Sequence, residues 1–436
     1  MRNLIRAASR AAVLMALLLP AGCAMYGHAL LDVDLAVRQG RPADALAKLE
    51  AMQGGFRNEA LYFINKGMLL RMNGDLEGSI AAFEAAKPLV SFQEATSVSE
   101  TVGQIALAEG TTSYQPRAFE RLQLHVLQAL NQLELGRWNE ARVEALQINL
   151  LLDRVYGGSA PHGGDAFARY LSGIIFEGLR EYDNALIAYR KALEAYDRNS
   201  TLRRLPVDLE QRLLLLTKRL GLNNEYRDFV ERFGEPRARQ TEALNKALRE
   251  TGSGELIVVA MTGMVPRRHE VSAMQQDITS GKFYRISLPA LNARPGSGAG
   301  VAIVEDAREL GRSEPVEDLS VVARRTLDEE IPGLVARSIA RNVIKNRVAN
   351  EAGEESTGLE FLVNFASAVL ENADVRSWST LPEQLHLLRV RLDAGTHQLR
   401  AEIIGAGGGS IAGHELGTVA ISRERPVVVS VTHAGY

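Results

Sequence analysis

The sequence predicts an α-helical solenoid followed by a smaller α+β domain that ends in a β-sandwich-like strand region. Three observations carry that expectation. Paired amphipathic helices repeat from about residue 26 to 235, a polar break falls at Arg249-Glu250-Thr251-Gly252-Ser253-Gly254, and strand-like apolar runs follow it. Gly40 and Gly74 lie 34 residues apart, and on that interval Ala45 matches Ser79, Leu49 matches Phe83 and Met52 matches Ala86. Small and large apolar positions therefore recur together.

A 34-residue period is the length of a tetratricopeptide repeat, a helix-turn-helix unit, and the residues resemble that pattern. One unit, about 60 to 93, has Gly67 in its first helix, the turn Gly74-Asp75, then Ser79, Phe83 and Ala86. Around the turn Gly136-Arg137 a second places Trp138, Ala141, Ala145 and Ile148 on its second helix. The clearest has Gly173 at the small first-helix position and Tyr182, Ala185, Tyr189 and Ala192 in the aromatic-alanine order, and a degenerate fifth pair, Leu209 to Phe233, turns at Gly221. Later turn spacings of 62, 44 and 41 residues exceed 34, so insertions interrupt the array near Ser91 to Tyr114 and at the glycine-rich loop Gly157 to Gly164.

Such units cannot bury their apolar faces alone, so they stack and line a concave surface with their first helices. The resemblance places Leu61, Ile64, Met68, Arg71, Val126, Leu133, Phe167, Tyr170 and Ile174 in that groove, suited to an extended or helical apolar segment of a partner. The same residues equally fit packing against the insertions or the second domain.

Past the break, "ELIVVAM" (255–261) reads as a buried strand and "FYRISLPAL" (283–291) as another. Thr326 and Glu329 have capping-box spacing at the start of a helix with Leu334, Val335, Ile339 and Val343 as its apolar stripe, while Arg337, Arg341 and Lys345 form a basic row that reads as a solvated face. A further helix covers about 359 to 371. Finally "LLRVRL" and "HQLRAEII" alternate about Asp393-Ala394-Gly395 as a hairpin, and "RPVVVSVTH" pairs with "LGTVAIS" to close the domain.

Candidate chemistry is sparse. Eight histidines are scattered without ligand spacing, so no metal or other cofactor is expected. Gly296 to Gly300 precedes a strand instead of opening a helix, which is the wrong order for cradling phosphate. Arg267, Arg268 and His269 form the most concentrated polar loop, a candidate anion-binding site or an exposed turn. A formal net charge of -3 gives nucleic acid no electrostatic footprint. No constellation of nucleophile and base emerges, and the chain reads as a non-enzyme.

The only cysteine, Cys23, follows Arg2, Arg6 and Arg10, an apolar core from Ala11 to Leu19, and the small pair Ala21-Gly22. That segment resembles the lipobox of bacterial lipoproteins, with Pro20 standing where leucine is usual. The resemblance implies a lipidated Cys23 after removal of residues 1–22. Ala24 then favours the outer membrane, facing the periplasm. A helical domain would span 23–250 and the α+β domain 251–436. With "AFERLQLHVLQALNQLELGRWNEARVEA", "DAFARYLSGIIFEGLREYDNALIAYRKALEAY", "ELIVVAMTGMVP" and "ADVRSWSTLP", the whole mature chain resembles an uncharacterised family of bacterial envelope lipoproteins. It implies a scaffold that binds an envelope protein through its repeats, in envelope assembly or peptidoglycan synthesis. The rival is a peptidoglycan- or saccharide-acting enzyme or binding protein using the C-terminal domain.

Overall fold

In the computed structural model, the described residues are 21–435 without 53–55, 98–112, 161–162, 200–204, 251, 277–282, 293–299 and 352–372. The helices come in antiparallel pairs: α1 (Ala21–Arg38) with α2 (Pro42–Ala51), α3 (Glu59–Met72) with α4 (Leu76–Ser97), and α5 (Ala118–Glu134) with α6 (Trp138–Leu150). Then come α7 (Ala166–Gly178) with α8 (Tyr182–Arg198), and α9 (Val207–Arg219) with α10 (Asn223–Phe233), closed by α11 (Glu235–Glu250). Each pair also packs on the next, which makes a tetratricopeptide-like array.

Two local devices build it. Every turn between paired helices contains a residue in the left-handed region: Gly40, Gly74, Gly136, Arg180 and Gly221, with φ from +62° to +80°. Four are glycines, which adopt that conformation without steric cost; the fifth is an exposed arginine, for which it costs about 1–2 kcal/mol. The second device is ring-on-glycine packing. A Cβ added to Gly173 would come within 2.3 Å of Tyr189, and one on Gly178 within 2.1 Å of Trp138 from the preceding pair. Only the absence of a side chain lets these rings seat against the helix backbone.

Beyond the array lie β1 (Ser253–Thr262), β2 (Arg268–Gln276), β3 (Phe283–Leu291), β4 (Gly300–Glu305), β5 (Arg308–Arg312) and β6 (Glu314–Asp318). Next are α12 (Leu319–Glu351), β7 (Gln384–Asp393), β8 (Gly395–Ile404), β9 (Ser410–Ile421) and β10 (Val427–His433). Among the described residues they form one sheet in the order β10-β1-β7-β6, a second in the order β5-β4-β8-β9, and the hairpin β2-β3. The first sheet has a face on each of two cores. Leu256, Val258 and Ala260 of β1 meet Val301, Ile303, Leu399, Ala401 and Ile403 of the second sheet, while Ile257, Val259 and Met261 join the core of the helical array. A strand buried on both faces reads as an unbroken apolar run, which is why "ELIVVAM" shows no alternation.

Two expectations about strand pairing and one about a helix cap need correction. β7 and β8 are consecutive but not hydrogen-bonded to each other: β7 lies between β1 and β6, and β8 between β4 and β9, so Asp393-Ala394-Gly395 turns a corner between sheets. Alternation in each strand is real, but it reports a buried face and not the neighbour. β10 runs parallel to β1, with Leu256 opposite Val427 and Thr262 opposite His433, whereas β9 pairs with β8. Thr326 lies inside α12, where its hydroxyl donates to the Val322 carbonyl at 2.8 Å. The cap is Asp318, whose Oδ1 accepts from the amides of Ser320 and Val321, each at 3.1 Å. Within that helix Leu334 is buried but Ile339 is 51% exposed, and Arg337 is exposed. The side chains of Arg341, Val343 and Lys345, and the expected helix at 359–371, lie outside the described residues.

Two substitutions test the packing. Tyr189→Ala, which removes a fully buried ring from the α7-α8 seam, is expected to cost roughly 3–5 kcal/mol in urea denaturation. Arg180→Gly is expected to raise stability by about 1 kcal/mol by relieving the left-handed turn.

Candidate functional site

The candidate site is the concave face of the array, and its geometry begins with Leu61, Ile64 and Met68 on α3, Val126 and Leu133 on α5, and Phe167 and Ile174 on α7. All seven are buried. The C-terminal domain of the same chain packs over this face, and among the described residues no open groove remains at these positions. The expectation that they face a separate partner is therefore corrected in favour of the alternative, packing against the second domain.

The closest fit is made by the extended segment from Ala373 to Pro382, which has no regular secondary structure and crosses α1, α3 and α5. Trp378 is its anchor. The indole is fully buried, with its ring 5.9 Å from that of Phe83 at an interplanar angle of 62°. Its Nε1 donates to Thr380 Oγ1 at 3.1 Å, the Thr380 hydroxyl donates to Asn65 Oδ1 at 2.9 Å, and Asn65 Nδ2 donates to the Leu61 carbonyl at 2.8 Å. The indole N–H and the Thr380 hydroxyl that enter the core with the ring thus find partners, as burial demands, whereas the neighbouring Ser377 Oγ is buried without one among the described residues. The Trp378 amide donates to Glu120 Oε1 at 2.9 Å, and the other carboxylate oxygen accepts from the Tyr114 hydroxyl and the Arg117 amide, each at 2.7 Å. Burial and the adjacent Glu120 carboxylate both hold the Tyr114 phenol well above its ordinary pKa. Ser379 donates to Asp34 at 2.7 Å, and Arg376 Nη1 donates to Asn58 Oδ1 at 3.1 Å. In physical terms the strap occupies the groove as a bound peptide would.

Arg71 belongs to the next contact along. Its buried guanidinium donates to Asn131, to Glu134 and, at 2.5 Å, to Ser430 Oγ of β10. Ser430 returns a hydrogen bond to Glu134 Oε1 at 2.8 Å. Arg71 thus joins two first helices to the edge strand β10 of the first sheet and is not free to grip a ligand.

The third contact is a buried cluster of charge. Arg212 of α9 lies 3.1 Å from Glu177 and 3.3 Å from Asp208, and donates to Glu255 of β1 at 2.5 Å. Arg389 of β7 faces the same three acids, at 3.4 Å from Glu177, 3.3 Å from Asp208 and 3.5 Å from Glu255. Tyr189 donates to Glu177 at 2.6 Å and Tyr170 to Asp208. Burial by itself would raise the carboxyl pKa values of Asp208 and Glu255; the two guanidiniums outweigh it and hold both below the usual range. Tyr170, expected to line a groove, instead closes this cluster from the helical side.

The loop proposed to receive an anion is also engaged. Arg268 is buried and lies 2.7 Å from Glu330, which Arg117 approaches at 3.5 Å, and Arg267 sits 3.7 Å from Asp34. His269 is half-buried on β2. The guanidiniums already have carboxylates on α12 and α1, so the loop is a joint between elements and not an empty anion site. Cys23 falls within the span of α1, and its side chain lies outside the described residues. Among the described residues no helix is long and apolar enough to cross a membrane, and no group of three metal-ligating side chains occurs.

These contacts define a class: a tetratricopeptide-like helical array whose concave face is filled by a sheet domain of its own chain. No protein-family model matches the sequence, and neither does any curated protein. Among solved structures, MamA from Desulfovibrio magneticus RS-1 is 14% identical with a TM-score of 0.32, covering 50% of this chain and 94% of its own. The apo form of RapI is 12% identical with a TM-score of 0.36, covering 52% and 74%. A Podospora anserina kinesin light chain protein with nearly identical TPR-like repeats is 13% identical with a TM-score of 0.33, covering 52% and 98%. The likeness concerns about half of this chain and says nothing of its function.

The charge cluster gives a signed prediction. Because Asp208 and Glu255 have lower pKa values folded than unfolded, their contribution is complete above the unfolded values of about 3.9 and 4.3 and fades as pH falls through the depressed folded ones. Arg389→Met leaves the buried acids short of a partner and is expected to cost about 3–5 kcal/mol at pH 7. The deficit relative to the parent should narrow as urea melts are taken from pH 7 toward pH 3.

Proposed function

We propose that this chain is a lipid-anchored envelope scaffold, carried on Cys23 in the outer membrane and facing the periplasm, which binds a partner protein in cell-envelope assembly or peptidoglycan synthesis without catalysing a reaction. The anchor rests on the sequence around Cys23. The scaffold reading rests on one observation: the array uses its concave face to hold Trp378 and the first sheet of its own chain. A partner must then read the outer surface of a composite body, and the repeats serve to fix that body's shape. Cys23 stands seven residues before Leu30, which is 3% exposed, so as a helix the interval is only about 10 Å. The body would be held against the membrane with little tether. The alternative, a saccharide- or peptidoglycan-acting protein, would use Arg267, Arg268 and His269, and of these the two guanidiniums already meet carboxylates of the same chain.

Cys23→Ala is expected to abolish incorporation of labelled palmitate, and undiminished labelling would place the lipid elsewhere. Crosslinking the anchored protein in cells, followed by mass spectrometry, is expected to recover one recurrent envelope protein; recovery of lipid alone would remove the scaffold reading.

A further inference from the structure

The corner where the chain passes between the two sheets carries a titratable ring with an acceptor on each side. β7 ends at Asp393 and β8 begins at Gly395, so Ala394 alone separates a strand of the first sheet from one of the second. His397, near the start of β8, reaches back across that corner with its side chain 14% exposed. Its Nδ1 lies 2.7 Å from Glu305 Oε1, at the end of β4, and its Nε2 lies 2.8 Å from the Asp393 carbonyl oxygen. The ring is thus bonded to the first sheet through β7 and to the second through β4.

Neither partner has a proton to give. A carbonyl oxygen and an ionised carboxylate only accept, whereas a neutral imidazole has one N–H and one lone pair. Only the doubly protonated ring satisfies both contacts. In either neutral tautomer a nitrogen lone pair faces an oxygen at 2.7 or 2.8 Å, and one contact must open. The hydrogen bond to the Asp393 carbonyl raises the His397 pKa most; burial opposes it, and the hydrogen bond and charge of Glu305 and the charge of Asp393 add to the rise. Opposite His397 on β9 stands the apolar Val419, and the cation opposite Glu305 across the β4-β5 turn, Arg308, is exposed. The other side of the corner is tied to the entrance of the domain. The Ala394 amide donates to the Gly252 carbonyl at 3.0 Å, and Arg423, between β9 and β10, donates its Nε to the same oxygen at 2.9 Å. What holds the corner therefore also holds the chain where it enters β1.

We infer that this corner is a pH-sensitive clasp, in which His397 with both nitrogens protonated ties β7 to β4 and, on losing one proton, releases one of the two strands. The clasp depends on neither the lipid anchor nor the scaffold reading. Because the folded pKa lies above the unfolded value of about 6.5, the contribution is complete below that value and is lost as pH rises through the raised folded one. The test uses the purified full chain with carbon-13 in its histidine rings, followed by NMR from about pH 5 to about pH 9. His397→Gln identifies the resonance. The His397 ring is expected to titrate above the ordinary value, and Glu305→Gln, which keeps the shape and removes the charge, to bring it down toward that value. Over the same range, hydrogen exchange of the peptide containing Ala394, corrected for the intrinsic pH dependence of exchange, should lose roughly 3–10-fold in protection, the worth of one hydrogen bond. His397→Gln should erase that loss. Titration of His397 at or below the ordinary value, a titration unmoved by Glu305→Gln, or an equal loss of corner protection in His397→Gln would each overturn the clasp, the last by assigning the pH dependence to another group.

Discussion

The structure depends on covering the inner face of the helical array. Leu61, Ile64, Met68, Val126, Leu133, Phe167 and Ile174 present a continuous apolar surface there, and burying a side chain of this size is worth roughly 1.5–3 kcal/mol. Even discounted for a compact unfolded chain, the sum is on the order of 10 kcal/mol, comparable to the whole stability of a typical domain. Leaving that face to water would forfeit most of what holds the fold. The chain's own C-terminal half covers it, so the boundary near residue 250 divides kinds of secondary structure and not independent cores. β1 makes the coupling tangible: alternate residues of one strand belong to the helical core and to the sandwich core, so neither core is complete without it.

What could be read from the sequence was what is local. The 34-residue spacing, the ring-on-glycine pairs and the left-handed turns act within a few dozen residues, and they stand where Gly67, Phe83, Gly173 and Tyr189 indicated. β1 was legible as a strand for a related reason, since burial on both faces writes an apolar run into six consecutive residues, Leu256 to Met261. Its neighbours were not. Whether β7 pairs with β8 or with β1 depends on contacts more than a hundred residues apart, and alternation specifies which face is buried but not what lies beside it.

The occupant of the groove was the largest thing hidden. The strap is polar in composition, and Ser377, Ser379 and Thr380 around Trp378 give no period of any kind. One signal was present. A tryptophan in a serine- and threonine-rich stretch outside any helix or strand must either lie exposed or find a pocket supplied from far away, and the neighbouring hydroxyls are what its indole N–H would require on burial. The groove residues were identified by position, and their occupant lay about three hundred residues downstream.

The polar contacts at this junction contribute chiefly to register. A buried pair of guanidiniums among three carboxylates recovers much of its desolvation cost only when all five are in place, so it adds little net stability and penalises every misplacement of the sheet. Arg389 meets Glu177 and Asp208 in a single placement of β7 against α7 and α9, and Ser430 meets Arg71 and Glu134 in the same placement of β10 against α3 and α5. The apolar surface drives the two halves together, and the charges specify how they meet. A body fixed in this way holds its outer helical surface in constant relation to the start of α1, because the groove that would otherwise flex around a partner is already filled.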